Sequence, residues 1–252
     1  MNEFSKKPLS ALLPPSVKLT FLDSVGSTNR EALAAPATVA TPHLFAAAAQ
    51  DAGRGRLGRT FFSRGGVYMT LLLSADDLAL SPALLTTAAG CAAVRAVEAE
   101  YPAGAKIKWV NDILVNDRKI CGILAEARTD PETGHITHYA VGWGYNVGQT
   151  DFPPELSEIA GSLDGEKTDR NRLCADTVAF FLDELRKSPE ETVAFAAEKS
   201  AVLGKCIRYF SSAEEGEGTA VSLGKEGELV VRLPDGKEKA LSGGEISVRF
   251  SK

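Results

Sequence analysis

The sequence predicts an α+β protein in which a mixed β-sheet with flanking helices is followed by a small β-barrel. Short apolar runs separated by turns extend from residue 107 to residue 146 and indicate strands in an antiparallel meander. Two stretches with helical spacing of apolar residues follow, at 170–187 and 189–202. After them, short strands alternate with glycine-bearing turns over about 50 residues, a pattern typical of a small barrel.

The elements before the meander are predicted from local signals. Residues 1–16 contain three prolines and are interpreted as a short leader. Ser81 and Pro82 indicate a helix start, because a hydroxyl residue can cap the first turn and proline suits the first helical position. This helix is expected to end near Glu100. The other expected elements are a strand at 18–22, a helix at 29–35, a strand at 44–50, a loop at 51–63 and a strand at 67–73.

The remaining strands are apolar runs between turn residues. Within the meander, Asn116-Asp117 and then residues 130–134 are expected to turn the chain. The domain boundary is placed near residue 203, which gives one domain at 17–202 and a second at 203–252. The strands expected in the meander are 107–110, 113–115, 119–127 and 136–146, and those expected in the barrel are 207–210, 218–223, 229–233, 239–241 and 245–250.

Composition and charge exclude several classes of protein. With 44% hydrophobic and 24% charged residues, the chain is neither disordered nor collagen-like nor a coiled coil. It has no apolar run of the roughly 20 residues that a membrane helix needs, and no recognisable signal peptide. A net charge of −5 argues against general binding of nucleic acids. Four well-separated cysteines without Cys-x-x-Cys spacing predict a reducing cytoplasm, no disulfides and no structural zinc.

The most informative segment is a loop in which glycine and arginine alternate. Gln50 precedes it, and residues 53–59 read Gly-Arg-Gly-Arg-Leu-Gly-Arg. Glycine lets the backbone approach a ligand closely, and the planar guanidinium groups suit carboxylates and phosphates. No Gly-Lys-Ser/Thr follows, so this is not a Walker loop. We expect an anion-binding loop, while a solvated arginine-glycine loop or a site for single-stranded nucleic acid stays the alternative.

A second group of charged residues lies where a strand breaks. Lys108, Asn111 and Asp112 are close in sequence, and Lys119 begins the returning strand. A hairpin of this length can bring both lysines to one end of the sheet, where they could neutralise phosphates beside a magnesium ion. The alternative is an ordinary Asn-Asp turn with lysines in solvent. Together with the arginine loop, this segment favours a small polyanion such as a nucleotide.

Two further segments have both a structural and a functional interpretation. Thr28 and Glu31 fit a capping box at the start of the first helix, although the hydroxyl and amide groups of residues 27–29 could instead hold a polar ligand. Gly142 and Gly144 near the end of a strand allow either a packing bulge or the close approach of a ligand.

No metal site made of histidines is expected. His135 and His138 stand three apart on a predicted strand, so their rings point to opposite faces of the sheet.

Together, these segments resemble the biotin protein ligases, in the monofunctional form that lacks an N-terminal DNA-binding domain. The resemblance implies a catalytic domain related to class II aminoacyl-tRNA synthetases at 17–202 and an SH3-like domain at 203–252. Six segments carry it, in the same order and with similar spacing: residues 27–29, Gln50 with 53–59, 108–112, 117–126, 142–146 and 242–249.

The resemblance also implies an activity. Members of this family join biotin to ATP, with Mg²⁺, to form biotinoyl-5′-AMP, and then transfer biotin to one lysine of a biotin carboxyl carrier protein, a subunit of acetyl-CoA carboxylase. By resemblance, Asp112 would lie near the incoming lysine or a magnesium ion. The implied catalytic residues are Arg54, Arg56, Asp112 and Lys119; the implied biotin contacts are Ser27, Thr28, Asn29, Gln50, Gly53, Arg54, Gly55, Arg56 and Lys119; and the implied nucleotide contacts are Arg56, Arg59, Lys108, Asn111 and Asn146.

The chain departs from the family pattern in a few places. Val110 replaces a common proline, and Phe61-Phe62 replaces an aromatic pattern that contains tryptophan. Only 26 residues precede Ser27, too few for a winged helix-turn-helix, so no DNA binding is expected. A homodimer formed through the catalytic sheet is a family property that the resemblance leaves open. The rival functions are a lipoate or octanoate transferase of the same fold and a non-catalytic nucleic-acid-binding protein.

Overall fold

The larger part of the molecule is a seven-stranded mixed sheet. The computed structural model describes residues 3–58, 61, 65–210, 214–242 and 247–250. The strands are β1 (Lys18–Val25), β2 (His43–Gln50), β3 (Gly66–Ser74), β4 (Lys106–Lys108), β5 (Asp112–Val115), β6 (Arg118–Thr129) and β7 (Ile136–Asn146). Their order is β1-β2-β3-β7-β6-β5-β4. β1 and β2 run parallel and the other neighbours antiparallel, which confirms the predicted mixed sheet and its meander.

Helices cover the two faces of this sheet unequally. α3 and α4 pack on one face with α1 and α5, and the short α2 packs on the other. α3 contains a run of small and aliphatic residues, most of them buried, which lets it lie close against the sheet. The helices are α1 (Lys6–Leu12), α2 (Thr28–Ala34), α3 (Leu85–Glu100), α4 (Arg170–Glu184) and α5 (Pro189–Glu198).

Strand β3 shows how the alternation of side chains separates the two faces. Met69, Leu71 and Leu73 enter the main core beneath α3 and α4. Leu72 instead belongs to a small cluster with Ala32 of α2. Residues of β3 and β7 that follow the Leu72 alternation therefore face the α2 side, and that side holds the cavity described below.

Two expectations, about the N-terminal segment and about the start of α3, differ from the structure. Residues 1–16, expected as a leader, include α1, whose Leu9 is fully buried in the main core. Ser81 does not cap α3: a 3₁₀ turn at Pro82–Leu84 precedes that helix, and the Ser81 hydroxyl donates to Glu226 Oε2 at 2.5 Å.

The C-terminal part is a five-stranded antiparallel sheet with its own core. Ile207, Leu229 and Val231 are fully buried in that core. The predicted barrel corresponds to this sheet, but within the described residues its edge strands do not pair with each other, so it is open. The strands are β8 (Cys206–Phe210), β9 (Glu215–Leu223), β10 (Leu229–Arg232), β11 (Glu238–Leu241) and β12 (Ser247–Phe250), in the order β11-β10-β9-β8-β12.

Trp109 connects the two sheets. Its ring belongs to the C-terminal core, and its Nε1–H donates to the Gly227 carbonyl at 2.9 Å. Four cysteines occur in the sequence and all four are free thiols. In the described parts of the chain, none of the helices has the length and apolar character required to cross a membrane.

Candidate active site

A cavity of about 750 Å³ opens on the α2 side of the large sheet. Its walls come from α2, β2, the Gly/Arg loop, the β4–β6 hairpins, β7 and the C-terminal strand β12. The structure therefore brings together segments that lie far apart in the sequence. Twelve of the predicted site residues line the cavity: Ser27, Thr28, Asn29, Gln50, Arg54, Gly55, Arg56, Lys108, Asn111, Asp112, Lys119 and Asn146.

Two predicted site residues do not belong to this lining. Gly53 instead closes the loop, because its backbone carbonyl accepts a hydrogen bond from the Phe61 N–H at 2.8 Å. Arg59, predicted to contact the nucleotide, lies outside the described residues.

Glycines on β6 and β7 create the floor of the cavity. Gly122 and Gly144 lie directly opposite each other in the ladder, and the Phe61 ring rests against both. A Cβ atom at Gly144 would lie 2.7 Å from that ring, and one at Gly142 only 2.0 Å from Asn29 Oδ1. The register between β3 and β7 is continuous through this segment. The bulge interpretation is therefore wrong. The glycines instead let the side chains of Phe61 and Asn29 lie close to the strand backbone.

The start of α2 contributes polar groups to the same floor. The capping-box prediction is wrong, because Ser27 occupies the N-cap position and no side chain caps the helix. The Thr28 backbone N–H instead donates to Gln50 Oε1 at 3.0 Å. The Thr70 hydroxyl lies 2.8 Å from the Thr28 hydroxyl and 2.6 Å from Asn29 Oδ1. These residues form an uncharged, hydrogen-bonded surface, in which Ser27, Thr28, Asn29 and Thr70 are almost completely buried and Gln50 is partly buried.

The two arginines of the loop reach different walls of the cavity. Arg54 Nη2 lies 3.2 Å from Glu126 Oε1, whereas Arg56 Nη1 donates to Asn111 Oδ1 at 3.2 Å. Asn111 is itself fixed, because its Nδ2 donates to the Ile123 carbonyl at 3.0 Å and its own carbonyl accepts the Ile123 N–H at 2.8 Å. The loop thus holds one guanidinium at each side of the cavity.

Lys108, Asp112 and Lys119 meet at one end of the sheet, as the hairpin spacing predicted. Asp112 pairs with Lys108 in the β4–β5 ladder, and Lys119 Nζ lies 2.6 Å from Asp112 Oδ1. Burial lowers the pKa of Lys108; the positive charges of Lys119 and Arg249 lower it further, while Asp112 raises it. This end of the cavity therefore concentrates positive charge beyond what its one aspartate offsets.

Asn146 is the last residue of β7 and lines the cavity. Its Nδ2 donates to the Gly161 carbonyl at 2.9 Å. Its Oδ1 is buried and has no hydrogen-bond partner among the described residues. An unsatisfied acceptor in a polar cavity is costly unless a ligand or water donates to it, so Asn146 suits a ligand that carries a hydrogen-bond donor.

Sequence reasoning missed part of the site. Thr70 and Glu126 look like ordinary strand residues, and only the register shows that they join the cavity network. Phe152, Leu156 and Ile159 form an apolar rim; Ile159 is 60% exposed. Their spacing of four and three residues in the segment after β7 was the available signal. Arg249 belongs to the last of the six segments that carry the resemblance, and it lines the cavity.

The described residues supply little for a resident metal ion. No group of three or more potential ligands among His, Cys, Asp and Glu occurs in the parts of the chain that the structure covers. Asp112 is engaged by Lys119. Magnesium bound through substrate phosphates needs only one or two protein carboxylates. A metal ion held here would therefore need most of its ligands from a substrate.

Comparisons with known proteins identify relatives of this chain. A model of the biotin/lipoate A/B protein ligase family matches residues 22–146. A biotin–[acetyl-CoA-carboxylase] ligase from Paracoccus denitrificans is 30% identical over 232 residues, which cover 84% of this chain and 93% of that protein. The bifunctional ligase/repressor BirA from Bacillus subtilis is 34% identical over 206 residues. These residues are 77% of this chain, which spans 62% of that relative's length.

Solved structures show the same fold. The biotin protein ligase from Aquifex aeolicus in complex with biotin and ATP superposes with a TM-score of 0.81 at 27% identity, covering 93% of this chain and 99% of that one. The biotin protein ligase from Leishmania major in complex with biotinyl-5-AMP superposes with a TM-score of 0.61 at 27% identity, covering 91% and 99% of the two chains.

Proposed function

The chain belongs to the biotin/lipoate A/B protein ligase family, and on that premise we propose that it is an ATP-dependent biotin protein ligase. In the proposed reaction it activates biotin as biotinoyl-5′-AMP and transfers the biotinoyl group to a specific lysine of a biotin carboxyl carrier protein. The relatives named for the ligation of acetyl-CoA carboxylase support this acceptor.

The charge distribution of the cavity is the observation that carries the proposal. Five cationic side chains and three carboxylates line it, in a chain whose net charge is −5. An excess of positive charge in an acidic protein needs a reason, and an anionic ligand supplies one. Biotin and ATP are both anions that repel each other, so an enzyme that joins them has to offset that repulsion.

The uncharged floor suits the head group of biotin. Its ureido ring has both hydrogen-bond donors and acceptors and carries no charge. Ser27, Thr28 and Gln50 line the cavity and offer hydroxyl and amide groups to such a ring. A buried polar surface that pairs with each polar group of its ligand rejects analogues that lack those groups. This favours biotin over lipoate, whose ring is apolar.

Activation takes place at the cationic end in this proposal. A carboxylate oxygen of biotin attacks the α-phosphorus of ATP, and the bond to the leaving pyrophosphate breaks. Arg54, Arg56 and Lys119 stabilise the negative charge on the phosphoryl oxygens as bonds change. Lys108, Asn111 and Asn146 bind the nucleotide. Magnesium enters with ATP as part of the substrate and neutralises phosphate charge.

The apolar rim and Asp112 serve the second half of the reaction. Biotinoyl-5′-AMP is a mixed anhydride, which water hydrolyses. In this proposal Phe152 and Leu156 of the apolar rim, together with Phe61, keep water from the acyl carbon. The neutral amine of the acceptor lysine attacks that carbon, the bond from the acyl carbon to AMP breaks, and the nitrogen releases a proton to solvent. The Asp112 carboxylate attracts the lysine toward the cavity.

Biotin-dependent exchange of labelled pyrophosphate into ATP tests the first half-reaction without an acceptor. We expect label in ATP only when biotin is present, and none when lipoate replaces it. Transfer is then tested with an isolated carboxyl carrier domain, whose target lysine is changed to arginine in the control. No exchange with biotin contradicts the proposal. Salt-sensitive RNA binding without exchange would favour the nucleic-acid-binding alternative.

A further inference from the structure

Glu126 on β6 connects the Gly/Arg loop to the floor of the cavity through its two carboxylate oxygens. Oε2 accepts a hydrogen bond from Asn29 Nδ2 at 2.9 Å, and Oε1 lies 3.2 Å from Arg54 Nη2. Arg54 belongs to the loop, whereas Asn29 belongs to α2. The carboxylate is therefore the direct contact between a loop cation and the rigid part of the site.

The floor end of this connection is fixed by geometry. The Leu124 carbonyl and the Glu126 carboxylate can only accept, so the Asn29 amide nitrogen has to face both of them, at 3.1 and 2.9 Å. Asn29 Oδ1 then faces the hydroxyl of Thr70, which is fully buried. Gly142 leaves the space that this arrangement requires. One Glu126 oxygen is thus held by an amide that is buried and fixed by further hydrogen bonds.

The loop end is more exposed. The side chain of Arg54 is 45% exposed and that of Glu126 is 22% exposed. An exposed arginine on a glycine-rich loop has many conformations, and ordering it when a ligand binds costs free energy. A fixed carboxylate at hydrogen-bond distance reduces that cost, because the guanidinium is already placed at the cavity.

We propose that Glu126 is a positioning residue for the reaction: anchored by Asn29, it holds the Arg54 guanidinium at the edge of the cavity before the substrates bind. This inference rests on the proposed function. It assigns Glu126 an effect on substrate affinity that is exerted through Arg54. Bound substrates hold the Arg54 guanidinium by their own negative charge, so the benefit of Glu126 is confined to the binding step. Loss of the carboxylate is therefore expected to raise the KM for biotin and to leave kcat nearly unchanged.

The substitution Glu126→Gln separates the two contacts. The amide oxygen of glutamine can still accept from Asn29 Nδ2, so the floor stays intact. Its NH₂ group then faces the Arg54 guanidinium, and two donors cannot pair. Glu132→Gln is the matched control, since Glu132 lies in the exposed β6–β7 turn and the change removes the same charge. Arg54→Gln and the double variant Arg54→Gln with Glu126→Gln complete the cycle.

Pyrophosphate exchange gives kcat and the KM for biotin, and calorimetry gives the Kd for biotin independently of turnover. We expect Glu126→Gln to raise KM and Kd roughly fivefold, the size of a partly exposed charged hydrogen bond, with kcat within about twofold. The double variant should match Arg54→Gln alone, because the two residues act as one unit. Glu132→Gln should behave like the wild type.

Other results overturn the proposal. An unchanged or lowered KM in Glu126→Gln means that the carboxylate has no positioning role or competes with the substrate for Arg54. Independent effects that multiply in the double variant mean that Glu126 does not act through Arg54. If Glu126→Gln fails to fold, Arg54→Gln with an unchanged KM still refutes it. An active wild type with any of these results defeats this inference alone, whereas an inactive wild type defeats the proposed function as well.

Discussion

Strands β3 and β7 carry very different side chains on their two faces. On the side of α3 and α4, Trp143 packs edge-on against Phe181 with ring centroids 5.0 Å apart, and its Nε1–H donates to the Ala89 carbonyl at 3.1 Å. On the α2 side, Thr70, Gly142 and Gly144 occupy the alternate positions between the larger Tyr68 and Leu72. The first face is thus filled by large strand side chains, whereas the second, called here the empty face, has no strand side chain at its glycines, so that Asn29 and Phe61 can approach the backbone.

This difference shows how a binding site arises within a well-packed sheet. The strands that support the cavity are held by a core that α3 and α4 complete, so the empty face does not have to stabilise itself. The precise placement of Thr28, Asn29 and Gln50 then depends on the absence of side chains at the floor glycines as much as on the polar side chains that are present. Substitutions on the filled face should affect stability, and those on the empty face should affect function.

The largest effect is expected on the filled face. Phe181→Ala should reduce the free energy of unfolding by about 3–5 kcal/mol, because it removes a fully buried ring from the core. Urea unfolding measures the change, and Phe181→Leu, which conserves most of the volume, should cost less than about 1.5 kcal/mol. Pyrophosphate exchange per folded molecule should stay near the wild-type rate. A large loss of exchange in fully folded protein would remove the distinction between the faces.

Gly142→Ala tests the empty face most directly. The added Cβ would lie 2.0 Å from Asn29 Oδ1, so α2 and its polar groups have to shift. We expect kcat/KM for biotin to fall about 100-fold, the size of effect that a shift of about 1 Å produces at an active site. Gly144→Ala is the control, because its Cβ meets the Phe61 side chain, which can move. Equal losses of kcat/KM in both variants would show that any added Cβ atom on this face disturbs the site, whichever residue it meets.

Thr70→Val sharpens the comparison at a single hydroxyl. The substitution conserves shape but leaves Asn29 Oδ1 buried without its donor, which costs about 1–3 kcal/mol. We expect part of that cost to appear as a roughly tenfold weaker affinity for biotin, measured by calorimetry. Thr70→Ser keeps the hydroxyl and should bind biotin with nearly wild-type affinity. Normal affinity in Thr70→Val would mean that the hydroxyl is not needed to orient the floor.

The smallest effect is expected in the pH dependence of the free energy of unfolding, which the partly buried charge of Lys108 changes. Burial lowers the pKa of Lys108 in the folded protein, so between that value and the unfolded value of 10.5 the unfolded chain binds more protons. The free energy of unfolding contributed by this residue therefore rises with pH across that window. Relative to Lys108→Met, the wild type should gain stability as the pH increases toward 10.5 in denaturant titrations. A constant difference between the two proteins would show that Lys108 bears no such cost.

The sequence was sufficient for features that depend on local chemistry. The glycines and arginines at 53–59 predicted a loop between two strands, and the hairpin length predicted that Lys108 and Lys119 meet at one end of the sheet. Binding of an anion by this loop stays a prediction. The strand meander followed from the turn residues between apolar runs. These signals are short in range, so they can be recognised without knowing which strands are neighbours.

Features that depend on register were not predictable in this way. Asn29 and Glu126 are 97 residues apart, and nothing local to either residue indicates that they meet. Thr28 fits a capping box in the sequence, but the approach of Gln50 from β2 gives its N–H another partner. The roles of Gly142 and Gly144 became clear only when the side chains opposite them were known. Strand pairing, which the whole fold determines, decided these cases.

The placement of the two tryptophans gives the molecule a built-in optical reporter. The sequence contains two tryptophans, and both Trp109 and Trp143 border the cavity, one where the two sheets meet and one beneath the glycine floor. Tryptophan fluorescence, excited selectively over that of the five tyrosines, therefore originates at the cavity. Occupancy of the cavity can be followed without a label, and a Trp109→Phe variant would assign the remaining emission to the floor.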